Sequence, residues 1–229
     1  MDVEPSKTEH TPSDLHTFLG DLHGIADETL WITVQAPTHN WDERPCKSYP
    51  NTAQGRSELV CDVAAWGGRH ACYIETALHH EPATRASRAS TKDRAVVTAF
   101  YADLDFAAPG HRPPKDATLP PNIEAALEIA DAIAAPSYTI ETGGGLQCWW
   151  LLDRPYTTDE LGIEQTADYL ALWDSAMVEN GRHLGESHGI EGGYHVDKVG
   201  QTNRVLRVPG SIRRKLDKTT GELTDPQMR

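Results

Sequence analysis

Apolar positions first recur at helical spacing in Leu15, Phe18, Leu19 and Leu22, directly after Ser13 and Asp14, which suit a helix N-terminus. A helix is predicted to begin there. Residues 31–35 change to the alternation of a strand, residues 57–66 read as a short helix with Ser57 as its cap, and residues 71–77 read as another strand. The polar stretch 81–94 carries Arg85, Arg88, Lys92 and Arg94 and gives way to the apolar run Ala95-Val-Val-Thr-Ala-Phe-Tyr-Ala-Asp-Leu-Asp-Phe106. That order predicts a basic loop beside a buried strand.

Past the proline-rich residues 111–121, Asn122 is placed to cap a helix with Ile123, Leu127, Ala130 and Ile133 or Ala134 on one face, ended by Pro136. Strands are predicted at 138–141 and 146–152, joined by Thr142-Gly143-Gly144-Gly145. A longer helix follows over about 158–180, with Leu161, Tyr169, Leu172, Trp173 and Ala176 toward the core and Gly181 as its stop. Residues 194–197 and 204–208 then read as strands. The succession predicts an α+β fold, a mixed or antiparallel sheet packed on helices, with an N-terminal α/β layer. Residues 1–14 are expected to be a loose terminus, 15–215 one catalytic domain, and 216–229 a polar linker leading to further domains of a longer parent.

Composition adds constraints. A hydrophobic share of 38% in 229 residues suits a folded globular chain, and no apolar run approaches the ~18 residues of a membrane helix. With no basic and apolar leader at residues 1–15, a cytoplasmic protein without membrane partners is expected. The net charge of −13 excludes a broad nucleic-acid-binding surface, because such binding draws on lysine and arginine displacing counterions. Cations are concentrated instead at Arg204, Arg207, Arg213, Arg214 and Lys215, a stretch without acids whose apolar partners Val205, Leu206 and Val208 suggest a strand holding the charges in place. The four cysteines form no CxxC pair and are expected as reduced, mostly buried thiols. His70, Cys72, His79 and His80 match no standard zinc spacing, so zinc is not expected.

Three elements carry candidate chemistry. Asp103 and Asp105 sit at i and i+2 near the end of the apolar strand, so they share a face with Cα atoms roughly 6–7 Å apart, while Leu104 turns to the core. Carboxylates so placed can grip divalent ions ~3.5–4 Å apart. The glycines at 143–145 can bring a phosphate close to the main chain, and Gln147 shares a strand face with Trp149 and Leu151. The third element is Asp197, followed by the cations of 204–215, a combination suited to metal ions and polyanions together.

In this order the segments YADLDF, TGGGLQCWW and DKVGQTNRVLRVPGSIRRK resemble the archaeo-eukaryotic primase superfamily, in particular the primase-polymerase domains of phage and plasmid replication proteins. The likeness covers residues 95–215 well and 26–80 loosely. It implies an RRM-like catalytic core and a DNA primase-polymerase that synthesises and extends primers on single-stranded DNA from nucleoside triphosphates, with a helicase in cis beyond residue 229 or in trans. It implies Asp103, Asp105 and Asp197 as catalytic ligands of two Mg²⁺ or Mn²⁺ ions, and Gly144, Gly145, Gln147, Arg204, Arg207 and Lys215 as nucleotide-binding residues. Gln147 stands where the family more often has histidine, and Ser211 and Arg213 where it often has threonine and asparagine. Two rival readings are a DxD metal-dependent glycosyltransferase and a non-catalytic, replication-associated DNA-binding module.

Overall fold

The computed structural model describes residues 12–36, 46–67, 71–83, 89–108, 113 and 115–211. Helix α1 (Pro12–His23) buries Leu15, Phe18, Leu19 and Leu22, the stripe that the 3.6-residue period predicts. Strand β1 (Trp31–Gln35) is buried from Ile32 to Gln35, on both faces, so it runs through the middle of a sheet and does not alternate. Its outer neighbour is β2 (Cys46–Pro50), a strand the sequence pattern missed because Cys-Lys-Ser-Tyr-Pro has neither apolar alternation nor β-branched residues. Helix α2 (Ala53–Gly67) starts a turn earlier than expected. Thr52 accepts from Gly55 N at 3.0 Å as its first turn forms, and Ser57 lies inside the helix, bonded back to Ala53 O.

The predicted strand at 71–77 is divided into β3 (Tyr73–Glu75) and β4 (Ala77–His79). Both pair with β1, but on the other edge β4 pairs with β5 (Ala95–Asp105) and β3 with β8 (Val205–Arg207). One edge thus serves two neighbours, and the sheet forks at Thr76, whose N–H donates to Arg204 O at 2.9 Å. Beyond the fork β5 runs antiparallel to β7 (Gly145–Thr157), with Tyr101 opposite Trp149, Asp103 opposite Gln147 and Asp105 opposite Gly145, and β6 (Tyr138–Glu141) closes that side. All pairings in this eight-stranded sheet are antiparallel among the described residues.

Alternation along β5 and β7 separates two cores. Tyr101 packs on Trp149, and Trp149 on Phe18 of α1, at centroid distances of 5.7 and 5.6 Å. Ala102, Leu104, Leu146 and Cys148 turn the other way, onto Ala126 and Ile129 of α3 (Ile123–Asp131) and Met177 of α5 (Ile163–Ser187). Asn122 caps α3 as expected, its Oδ1 accepting from Ala125 N at 2.9 Å, although Ile133 beyond the helix is exposed.

The long C-terminal helix departs from expectation in phase and length. A four-residue helix α4 (Thr158–Leu161) ends at Gly162, and α5 continues through Gly181, which packs on the segment 194–196. Its inward residues are Thr166, Leu170, Asp174, Met177, Gly181 and Gly185, whereas Tyr169 and Leu172, predicted inside, are exposed. Trp173, also predicted inside, does pack on the core, stacked on Phe100 at 4.7 Å; Tyr169 and Leu172 are misplaced because small and polar side chains face the partner segment. Residues 194–197 form no strand. Of the cysteines, Cys72 and Cys148 are buried, Cys46 is half-buried and Cys61 is exposed.

Candidate active site

The two branches of the fork are bridged by side chains at the C-terminal end of β5. Asp103, with 24% of its side chain exposed, faces the Arg204 guanidinium at 3.9 Å. Burial pushes its carboxyl up to about 6, the Asp105 and Asp197 charges push the same way, and Arg204 and Arg207 pull it down. Asp103 therefore senses both other predicted carboxylates and both predicted arginines, so all five belong to one electrostatic unit. Asp197 approaches from the loop after α5, and His195 Nε2 lies 2.9 Å from its Oδ1. The His195 backbone is itself held, its N–H donating to Thr118 O at 2.7 Å.

Across the sheet, Gly145 stands opposite Asp105 at such short range that a Cβ there would lie 2.6 Å from the Asp105 carboxylate and 3.0 Å from Leu104 O. A side chain at 145 would therefore displace the Asp105 carboxylate. Gly143 alone of the three has a left-handed backbone (φ 81°), and Gly144 O accepts from Phe106 N at 3.1 Å, which ties the turn to the end of β5. Gly144 and Gly145 are buried, Gly143 exposed.

Arg207 extends from β8 to the same turn, where Nη1 donates to Thr142 O at 2.6 Å. Its backbone N–H donates to Gln147 Oε1 at 2.9 Å. Because a backbone N–H can only donate, the Gln147 carbonyl must be the end engaged, and Nε2 is the end that can donate to a ligand. Gln147→Ala should therefore lower the unfolding free energy by about 1 kcal/mol through the lost β7–β8 tether. If Nε2 also meets a bound ligand, the affinity for that ligand should fall by up to about tenfold; reduced stability with unchanged affinity would confine the residue to the tether.

The Nε atoms of Arg204 and Arg207 are buried without a hydrogen-bond partner. Buried donors of this kind are costly unless an acceptor such as water or an anion reaches them, and these two lie beside a group of carboxylates that a cation would reconcile. The donor set thus fits polyphosphate and divalent cation together. Among the described residues, no three of the His, Cys, Asp and Glu side chains are already gathered as a metal cage. The Asp105 and Asp197 charges reach Asp103 without the three forming such a cage.

This framework aligns with solved structures. The cyanophage S-2L primase-polymerase AEP domain matches at 15% identity, over 92% of this chain and 86% of that one, with a TM-score of 0.51. The chain has the primase-polymerase fold. A looser superposition, on the polymerase domain from Mycobacterium tuberculosis ligase D in complex with DNA, has 11% identity, a TM-score of 0.41 and coverage of 99% and 86%. No family model and no curated protein matches the sequence.

Of the sequence-predicted site, Asp103, Asp105, Asp197, Gly144, Gly145, Gln147, Arg204 and Arg207 come together, while Lys215, Arg213 and Arg214 lie outside the described residues. So do Arg85 and Arg88 of the basic loop and His70 of the histidine group. Arg94 is turned away to an exposed pair with Asp159. Sequence reasoning missed His195, for which the i, i+2 spacing to Asp197 was an available signal, and Tyr101, whose place two residues before Asp103 put it on the same side. The Tyr101 hydroxyl donates to Gln201 O at 2.7 Å and accepts from Gln201 N at 3.1 Å. Burial pushes this phenol up to about 12, so it keeps the proton it donates.

No helix among the described residues is long and apolar enough to cross a membrane.

Proposed function

We propose that the protein is a template-directed DNA primase-polymerase that builds and extends primers on single-stranded DNA in phage or plasmid replication. The observation that carries this reading is the meeting of Asp103, Asp105 and Asp197 with Arg204 and Arg207 in the fork of a primase-polymerase fold. In the reaction, a 3′-hydroxyl oxygen attacks the α-phosphorus of a nucleoside triphosphate, a new P–O bond forms in line with the one that breaks, and pyrophosphate leaves. The hydroxyl proton passes to solvent.

Asp103, Asp105 and Asp197 would hold two Mg²⁺ or Mn²⁺ ions, which when bound lower the pKa of the attacking hydroxyl and neutralise the departing charge. Arg204 and Arg207 supply the donors that orient phosphate oxygens, with Lys215 a further candidate. Gln147 adds a neutral hydrogen bond and Gly145 keeps the turn close to Asp105. A helicase would act from beyond residue 229 or in trans.

A glycosyltransferase reading accounts for Asp103 and Asp105 alone, and it leaves Arg204, Arg207 and the buried Gln147 tether without a role. The deciding assay is incorporation of labelled nucleotide on single-stranded templates, with and without a primer, in Mg²⁺ and in Mn²⁺. Synthesis that requires both template and divalent ion supports the proposal. Template-independent transfer from a nucleotide sugar, or DNA binding with no incorporation in either metal, would replace it with one of the two rivals.

A further inference from the structure

The inward face of α5 is built from small, apolar and hydroxyl side chains, except at Asp174. This carboxylate is 7% exposed. A buried acid is retained only where its oxygens are satisfied, and here both are: Oδ1 accepts from Val199 N at 3.1 Å and Oδ2 from Gly200 N at 2.7 Å. Two consecutive backbone N–H groups on the two oxygens of one rigidly mounted carboxylate fix orientation as well as distance. The contact is close enough that a Cβ at Gly200 would lie 2.5 Å from Leu170 O and 2.8 Å from Asp174 Oδ2. From the opposite side Tyr101 holds Gln201, and Thr76 holds Arg204.

The segment gripped in this way, 199–204, starts two residues after Asp197 and ends at Arg204, two of the three site groups that come from neither β5 nor β7. We propose that Asp174 is a positioning residue, which through the backbone of Val199 and Gly200 sets Asp197 and Arg204 against Asp103 and so tunes the affinity of the site for divalent ions. The inference rests on the reading of Asp103, Asp105 and Asp197 as metal-holding groups. A carboxylate is needed because an amide offers one acceptor, and its NH₂ end would face a backbone donor. Groups that orient metal ligands from behind typically change metal affinity by about 10- to 100-fold when removed.

The test is Mn²⁺ titration of the nucleotide-free full chain, following free Mn²⁺ by electron paramagnetic resonance, for wild type, Asp174→Asn, Asp174→Ala and Gly200→Ala, with thermal unfolding of each. Asp174→Ala is expected to weaken Mn²⁺ binding by about tenfold and to raise the Mn²⁺ concentration for half-maximal nucleotide incorporation by a similar factor. Asp174→Asn, with one acceptor left, should fall between it and wild type, and Gly200→Ala should shift the same quantities from the other side of the contact. A folded Asp174→Ala that binds Mn²⁺ within twofold of wild type, even with a lowered melting temperature, would reduce Asp174 to a tether and overturn the proposal. Should Asp174→Ala fail to fold, the same criterion applies to Asp174→Asn. A wild-type chain that binds Mn²⁺ yet incorporates no nucleotide would remove the polymerase reading while the titration still decides the role of Asp174. Failure of wild type to bind Mn²⁺ at all would overturn the positioning role.

Discussion

Asp103→Asn should abolish nucleotide incorporation, by at least about a thousandfold, and at neutral pH should make the metal-free protein more stable. The first effect follows from the proposed role of Asp103 as a metal ligand, in which an amide cannot replace a charged carboxylate. The second follows from the direction of the pKa shift. Asp103 is raised from 3.8 to about 6 on folding, since burial and the Asp105 and Asp197 charges outweigh the pull of Arg204 and Arg207. A raised carboxyl contributes its stability fully below the unfolded value and loses it as pH climbs through the folded one. Two pKa units bound the loss at roughly 3 kcal/mol, discounted because the side chain is partly open to water. In EDTA, urea unfolding of wild type and variant should therefore agree near pH 4, diverge between pH 4 and 6.5, and remain apart above. Adding Mn²⁺ at pH 7.5 should stabilise the wild type and leave the variant unchanged. A wild type more stable than Asp103→Asn across the whole metal-free range would show that the carboxylate is satisfied by the protein itself, and the site would then have no need of a cation.

Much of this centre could be read in the sequence because its parts sit on regular elements. Asp103 and Asp105 share a face by the two-residue period of a strand, and Leu104 between them is buried, as the same period demands. The apolar spacing of Val205, Leu206 and Val208 located β8, and with it Arg207. What could not be read is contact between distant segments. Gly145 looked like a turn residue open to a phosphate, whereas its tightest neighbour is the Asp105 carboxylate. Gln147 looked like a ligand to the nucleotide alone, and its carbonyl is spent on the backbone of Arg207, sixty residues away in the chain.

Helix α5 shows the same limit at the level of packing. Its apolar residues Tyr169 and Leu172 predicted one inward face, while the true one is chosen by Gly181, Gly185 and Asp174, residues whose burial depends on the segment 194–200 lying against them. An acid in mid-helix gives no local sign of being inside. The fork at Thr76 is equally silent, because a strand that changes neighbours halfway has the same composition as one that does not.

Arg207→Ala should cost nucleotide incorporation about 10²- to 10³-fold in kcat/KM, the range found when one preorganised donor to developing charge is removed. Two features make this arginine the more consequential of the pair. It anchors the glycine turn through Thr142 O and it sits on the strand that Gln147 grips, while a buried Nε without an acceptor is common to both. Removing it leaves Thr142 O without this donor and withdraws a positive charge that lowers the Asp103 carboxyl, so the pH above which the proposed incorporation proceeds should also move upward. Arg207→Lys should recover only a small part of the loss, because an ammonium has the charge but lacks the planar fork needed to hold Thr142 O and a phosphate together. Single-nucleotide extension kinetics measure the first effect. The salt dependence of single-stranded DNA binding then decides which polyanion Arg207 serves: a slope flattened by about one unit means a template phosphate, and an unchanged slope with raised nucleotide KM means the incoming triphosphate. A kcat/KM within twofold of wild type for Arg207→Ala would remove β8 from the active site and leave Arg204 as its described cation.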